Sequence, residues 1–280
     1  MRFRICHETR YRYDAPVRLG AHVLRLRPRA DAVQRLVHWT LVIDPQPTMV
    51  SGTSDAEGNV VTHAWFAGTT DALTVTSTFE VETTRENPFD YLPDEGFATV
   101  PVRYPVDVAA VLQAAMEPRQ AESVREFALA VLAESGDAPV AFLDALNRTI
   151  HSRTRLAVRD DGRHAQSGAE TLALGRGACR DVAVLFMEAA RAMGFAARFV
   201  SGYRRGDLTR PDRHLHAWAE IFIPGGGWRG WDPVEGHAVA ARHVALAASA
   251  QQIHTMPVTG AYFGAGVGST LAYTIRIEAE

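Results

Sequence analysis

Three residue types that cooperate in acyl transfer stand in order within residues 175–233: Cys179 in GRGACRDVAVLFMEAARAMG, His216 in HAWAE and Asp232 in GWDP. A thiol attacks a carbonyl only as thiolate, an imidazole exchanges protons near neutral pH, and a carboxylate holds the ring in the useful tautomer. Gly175, Arg176 and Gly177 form a turn, and Val182, Leu185, Phe186, Ala189 and Met193 recur at helical spacing until Gly194, so Cys179 is expected to open a helix. At that position unpaired backbone N–H groups and the helix dipole favour negative charge and can hold an oxyanion. Arg180 is a candidate charge partner and substrate contact, and Asp181 is a first-turn acid. A free cysteine is commonly just a small buried apolar residue. The glycine turn and the downstream histidine and aspartate argue for chemistry instead.

These side chains need a scaffold. HAWAEIFI alternates as a strand, with His216, Trp218, Glu220 and Phe222 on one face. Pro224 to Gly227 make a turn, and GWRGWDP returns with Asp232 at its far end. Symmetric pairing about a loop of residues 224–227 sets Asp232 opposite Ala219, three positions and about 10 Å from His216. The expectation is therefore either a turn centred near Pro224 that faces His216 with Asp232, or a bulge that shifts the register.

The runs TLALGRGACRDVAVLFMEAARAMGFAARFVSGY and HLHAWAEIFIPGGGWRGWDPVEG resemble the core of the bacterial transglutaminase-like superfamily, a group of cysteine-protease-type proteins. HETRYRYDAPVRLGAHVLRLRPR and ENPFDYLP resemble the β-rich domain that precedes that core. The resemblance implies that Cys179 is the nucleophile, His216 the general base and acid, and Asp232 the residue that orients it. It implies a papain-like α+β core, with the cysteine on a helix packed against an antiparallel sheet. By the same analogy Trp218 and Trp231 wall an acyl tunnel, although strand tryptophans are more often core.

Elsewhere the chain reads as an α+β protein in two parts. Strands are expected at 3–13, 22–29, 36–43, 60–66 and 73–81, punctuated by proline and glycine, which suits an N-terminal antiparallel β-sandwich over residues 1–95. Residues 87–105, with four prolines, read as a linker. Helices follow at 106–116, 119–134 and 139–152, and residues 96–280 form the expected core. The tail LAYTIRIEAE alternates as a last strand that can join either part.

Composition bounds the rest. At 47% hydrophobic, 22% charged and net charge −3, the chain shows no global attraction to nucleic acid. Cys6 and Cys179 stand far apart, so no structural disulfide is expected and a reducing compartment suits the nucleophile. No apolar leader core or membrane-length apolar run occurs, and a cytoplasmic location is expected. His214 and His216 mimic a metal pair, but the sequence offers them only one soft third ligand, and Asp160, Asp161 and Gly162 fall short of a calcium loop. No cofactor or metal is expected. The partner is a peptide or protein amide substrate, with no nucleic acid and no membrane, and the oligomeric state is left open.

Two functional classes follow. One is a cysteine enzyme that hydrolyses or transamidates peptide, isopeptide or side-chain amides through a thioester. The other is a binding or scaffold protein that keeps the fold without turnover. An arylamine N-acetyltransferase type uses the same three residue types, but with the cysteine in the first third of the chain.

Overall fold

The computed structural model describes residues 1–118, 120–157, 164–206 and 214–280. Asp160, Asp161 and Gly162 lie outside the described residues, as do residues 207–213 of the arginine-bearing stretch from Tyr203 to Arg213.

Alternating burial of Phe3, Ile5, His7 and Thr9 marks the start of β1 (Arg2–Leu24), one strand of 23 residues where two were expected. Asp14-Ala15-Pro16 does not end it, because the pairing with β5 (Thr70–Thr83) skips from Arg12 to Val17 and absorbs the proline as an irregularity. β2 (Gln34–Asp44) lies beside β5, while β4 (Val60–Trp65) and then β3 (Met49–Ser54) flank the second half of β1. β13 (Val258–Phe263) pairs with that second half, and β14 (Ser269–Ala279) pairs with the first half from Phe3 to Tyr13. The N-terminal antiparallel β-sandwich is thus a curled seven-stranded sheet around Phe3, Ile5, Leu73, Val75, Phe79 and Val81, and two of its strands come from the far end of the chain. The last part of 96–280 therefore pairs with the first sheet.

The segment 87–105 is no solvated linker. Phe97, Val100, Val102 and Tyr104 are buried in the helical core, and the Tyr104 hydroxyl donates to the Phe222 carbonyl at 2.7 Å while accepting the Ala196 amide at 3.1 Å. Burial pushes that phenol up to about 12, despite the Ala196 amide.

After it come α1 (Val106–Met116), α2 (Glu122–Ser135), α3 (Pro139–Arg153), the two-residue β6 (Arg155–Leu156), α4 (Gly168–Leu174), the two-residue β7 (Arg176–Gly177) and α5 (Cys179–Ala192). The second sheet is β8 (Ala197–Arg204), β9 (His216–Ile223), β10 (Gly227–Asp232), β11 (His237–Ala238) and β12 (His243–Ser249), in the order β11-β10-β9-β8-β12. α5 packs on β8 and β9, burying Leu185, Phe186 and Ala189 with Ala217, Ala219 and Ile221. This is an α+β core of helices packed on an antiparallel sheet. No helix among the described residues is long and apolar enough to cross a membrane.

β12 ends this sheet, and two side chains from the N-terminal part, Gln34 at the start of β2 and Asn59 in the β3–β4 turn, complete its edge. Gln34 accepts the Ala245 amide at 2.7 Å and donates to the Ala245 carbonyl at 2.9 Å, and Asn59 makes the same two bonds at Ala248, both 2.8 Å. Each side-chain amide stands in for the peptide group of a missing strand.

Between the two sheets, buried His7 bonds the Tyr203 hydroxyl at 2.7 Å and the Thr9 hydroxyl at 3.1 Å. Desolvation lowers its pKa from 6.5 to about 4. The unfolded chain therefore binds a proton between those values that the native ring refuses, so stability rises with pH across that window. Denaturant titrations from pH 7 to 4 should show a loss of up to about 3 kcal/mol from this group. His7→Gln should lose that part of the slope, and identical slopes in the two proteins would overturn the assignment.

Candidate active site

The loop ahead of Cys179 is held from several sides. Arg155 and Ala157 donate their amides to the carbonyls of Gly175 and Gly177, both at 2.9 Å, so β6 pins β7. Asp181, fully buried in the first turn of α5, accepts the amides of Ala178 and Gln166, both at 2.8 Å. A Cβ at position 177 would meet the Asp181 Cβ at 2.8 Å, so this close approach requires Gly177. Cys179 is the first helical residue, as expected, and is half-buried with its thiol 3.7 Å from the Leu215 carbonyl. Its amide, at the first helical position, has no carbonyl to pair with inside the helix.

That contact brings the head of α5 to the start of β9, where His216 stands. Pairing runs from Gly227 opposite Ile223 to Trp231 opposite Ala219, so the loop has three residues, 224–226. Neither expected remedy is used. The four-residue loop assumed from sequence was one residue too long, and the true register makes Asp232 a diagonal neighbour of His216 on the same face. Diagonal side chains in antiparallel strands meet when they are long. The His216 Nε2 lies 2.6 Å from Asp232 Oδ2.

Asp232 is wholly buried and its carboxylate is saturated. Oδ2 also accepts from His243 Nε2 at 2.9 Å, while Oδ1 accepts the amides of Val234 at 2.9 Å and Glu235 at 3.2 Å. Burial alone would raise its pKa; the His216 charge and the two imidazole hydrogen bonds outweigh that and hold it well below the usual carboxylate range. Burial likewise opposes a charged His216, but the Asp232 charge and hydrogen bond, with hydrogen bonding to Cys179, push the ring up to about 9. At neutral pH His216 is therefore an imidazolium on the Asp232 carboxylate.

The remaining sequence candidates separate. Trp218 is buried on the face of His216, ring centroids 6.2 Å apart. Trp231 lies on the opposite face, 1% exposed in the helical core, donating to Asp144 at 3.0 Å. Residues 231 and 232 of one strand face opposite sides, so Trp231 points away from the face of Asp232. Arg180 flanks Cys179 and is half-buried. His214 is exposed and bonds the Tyr273 hydroxyl at 2.6 Å, so it does not converge with His216 on a metal.

Among the described residues, one group could hold a metal: His216, Asp232 and His243, with ligand atoms within 4.8 Å of one another. Both imidazole nitrogens stand at hydrogen-bonding distance from one oxygen. A tetrahedral ion with bonds of ~2.1 Å would hold its ligand atoms roughly 3.4 Å apart. The arrangement is that of N–H donors on a carboxylate. His243 itself was not among the sequence candidates.

A cysteine at a helix start, packed on an antiparallel sheet that carries histidine and aspartate on adjacent strands, defines a transglutaminase-like core. Family comparison agrees: residues 3–82 match the bacterial transglutaminase-like N-terminal region, and residues 127–233 match the transglutaminase-like superfamily. The chain belongs to the transglutaminase-like superfamily, in the bacterial form that carries this N-terminal region. An uncharacterized protein of Mycobacterium tuberculosis, Rv2569c, is 26% identical over 292 residues, covering 99% of this chain and 92% of that protein. ML0607 of Mycobacterium leprae, also uncharacterized, is 26% identical over 277 residues, covering 95% and 94%. The crystal structure of a "putative cysteine protease" from Cytophaga hutchinsonii shares the fold, with a TM-score of 0.75 at 19% identity, covering 99% of this chain and 90% of that one.

Proposed function

We propose that the protein is a cysteine-dependent acyl-transfer enzyme acting on peptide, isopeptide or side-chain amides, with Cys179 as nucleophile, His216 as acid and base, and Asp232 as the orienting carboxylate. The observation that carries this is His216 bonded to buried Asp232 at 2.6 Å, with the Cys179 thiol 3.7 Å from the carbonyl of Leu215, the residue just before His216. The Cys179 thiolate attacks the amide carbonyl, and the Cys179 backbone N–H supports the oxyanion. His216 gives its proton to the leaving amine as the C–N bond breaks, leaving a thioester. Neutral His216 then takes a proton from water, or from an acceptor amine, as that molecule attacks the thioester and expels the thiolate. Arg180 flanks the nucleophile as a substrate contact.

A p-nitrophenyl ester tests this without knowledge of the natural substrate. The expected result is a burst of about one equivalent of nitrophenol and an acyl mass on the Cys179 peptide, both absent in Cys179→Ala. A folded wild-type protein that takes up no acyl group would favour the scaffold alternative.

A further inference from the structure

We propose that His243 is a positioning residue for this reaction, a second imidazole that fixes the Asp232 carboxylate in its aim at His216. The proposal rests on the reading of Cys179 and His216 as the reacting pair.

His243 opens β12, with β8 between it and the β9 strand that carries His216. β8 puts no side chain between them at this level: the residue opposite His216 is Gly202, where a Cβ would meet the Trp218 ring at 2.8 Å and the Val244 carbonyl at 2.1 Å. The His243 ring reaches the same Asp232 oxygen that His216 binds, at 2.9 Å against 2.6 Å, and packs edge-on against Trp218 with centroids 5.2 Å apart. It is buried, and its Nδ1 has no hydrogen-bond partner.

That orphan nitrogen decides the protonation state. As an imidazolium, His243 would bury an N–H donor without an acceptor, beside the charged His216; as the neutral Nε2–H tautomer it buries only a lone pair. The facing groups are Asp232, His216 and, further off, His237, with Arg204 opposite on β8. Burial, then His216 and His237, depress its pKa against the pull of Asp232. A neutral donor restrains the carboxylate without cancelling its charge, so the full charge is left to His216. The anchor is firm, because Gln34 of the first sheet holds β12 two residues on, at Ala245. The N-terminal sheet is thereby coupled to the aim of Asp232.

Second-order rates of Cys179 alkylation by iodoacetamide, followed from pH 5 to 9, test the idea in wild type, His216→Ala, His243→Leu and His243→Gln. His243→Leu should lose at least about tenfold in rate at pH 6, while His243→Gln, whose amide nitrogen can replace Nε2–H, should recover to within about threefold of wild type. If His216→Ala loses fast alkylation but His243→Leu superposes on wild type, the His243 role is overturned and the reacting pair stands. If His216→Ala changes nothing, the reacting pair itself fails, and the proposal with it. Long-range proton–nitrogen correlation spectra of the wild type give a reading that needs no variant: a neutral His243 protonated on Nε2 at pH 7 is expected, and a doubly protonated or Nδ1–H ring overturns the role.

Discussion

Iodoacetamide is expected to alkylate Cys179 far faster than Cys6 below pH 7, and replacing His216 with alanine should remove that advantage. A free thiol of pKa about 8.5 is roughly 0.3% thiolate at pH 6. His216 holds its proton up to about 9, and an imidazolium beside a cysteine favours attack by the sulfur. The neighbouring positive charge favours attack and the lower basicity of a stabilised thiolate gives part of that back, so a net advantage on the order of tenfold to a hundredfold at pH 6 is expected. Cys6, whose sulfur meets Arg276 at 3.6 Å and no histidine in the hydrogen bonds that involve it, serves as the internal reference. Peptide mass spectrometry at each pH reads both sites in one sample. Equal rates for the two cysteines, or a His216→Ala profile that superposes on wild type, would remove His216 from the scheme.

The candidate site was legible where local pattern carries the information. A glycine turn before an apolar 3.6-residue period announces a helix opened by Cys179, and strict alternation announces the strand of His216. What failed depended on one residue of register. The three-residue loop 224–226 could not be separated from a four-residue one by its proline and glycines alone, and that single position decides whether Asp232 shares a face with His216. The same parity sends Trp231 to the helical side. His243 carries no local signal: it is one of eleven histidines, on a strand that meets β10 only through the folded sheet. Long-range pairing also hid the return of β13 and β14 to β1, since alternation marks a strand without naming its neighbour.

Asp232→Asn should affect both reactivity and stability. The swap preserves the shape of the side chain. The carboxylate, however, accepts four buried N–H donors, two on each oxygen. An amide offers an acceptor on one end only, so its NH2 must face either the two imidazoles or the amides of Val234 and Glu235. Either way two donors lose their acceptor, at about 1–3 kcal/mol each, and His216 loses the charge that offset its burial. With only Cys179 left to oppose burial, the ring pKa should fall from about 9. The variant should therefore unfold at lower denaturant, and its Cys179 should alkylate slowly at pH 6, with the profile moved toward that of a plain thiol. Holding Asp232 to be only a turn starter before Pro233 predicts instead a stability loss with an unchanged alkylation profile. Measuring both quantities on one preparation separates these accounts, and a folded Asp232→Asn protein with a wild-type profile would take the carboxylate out of the mechanism.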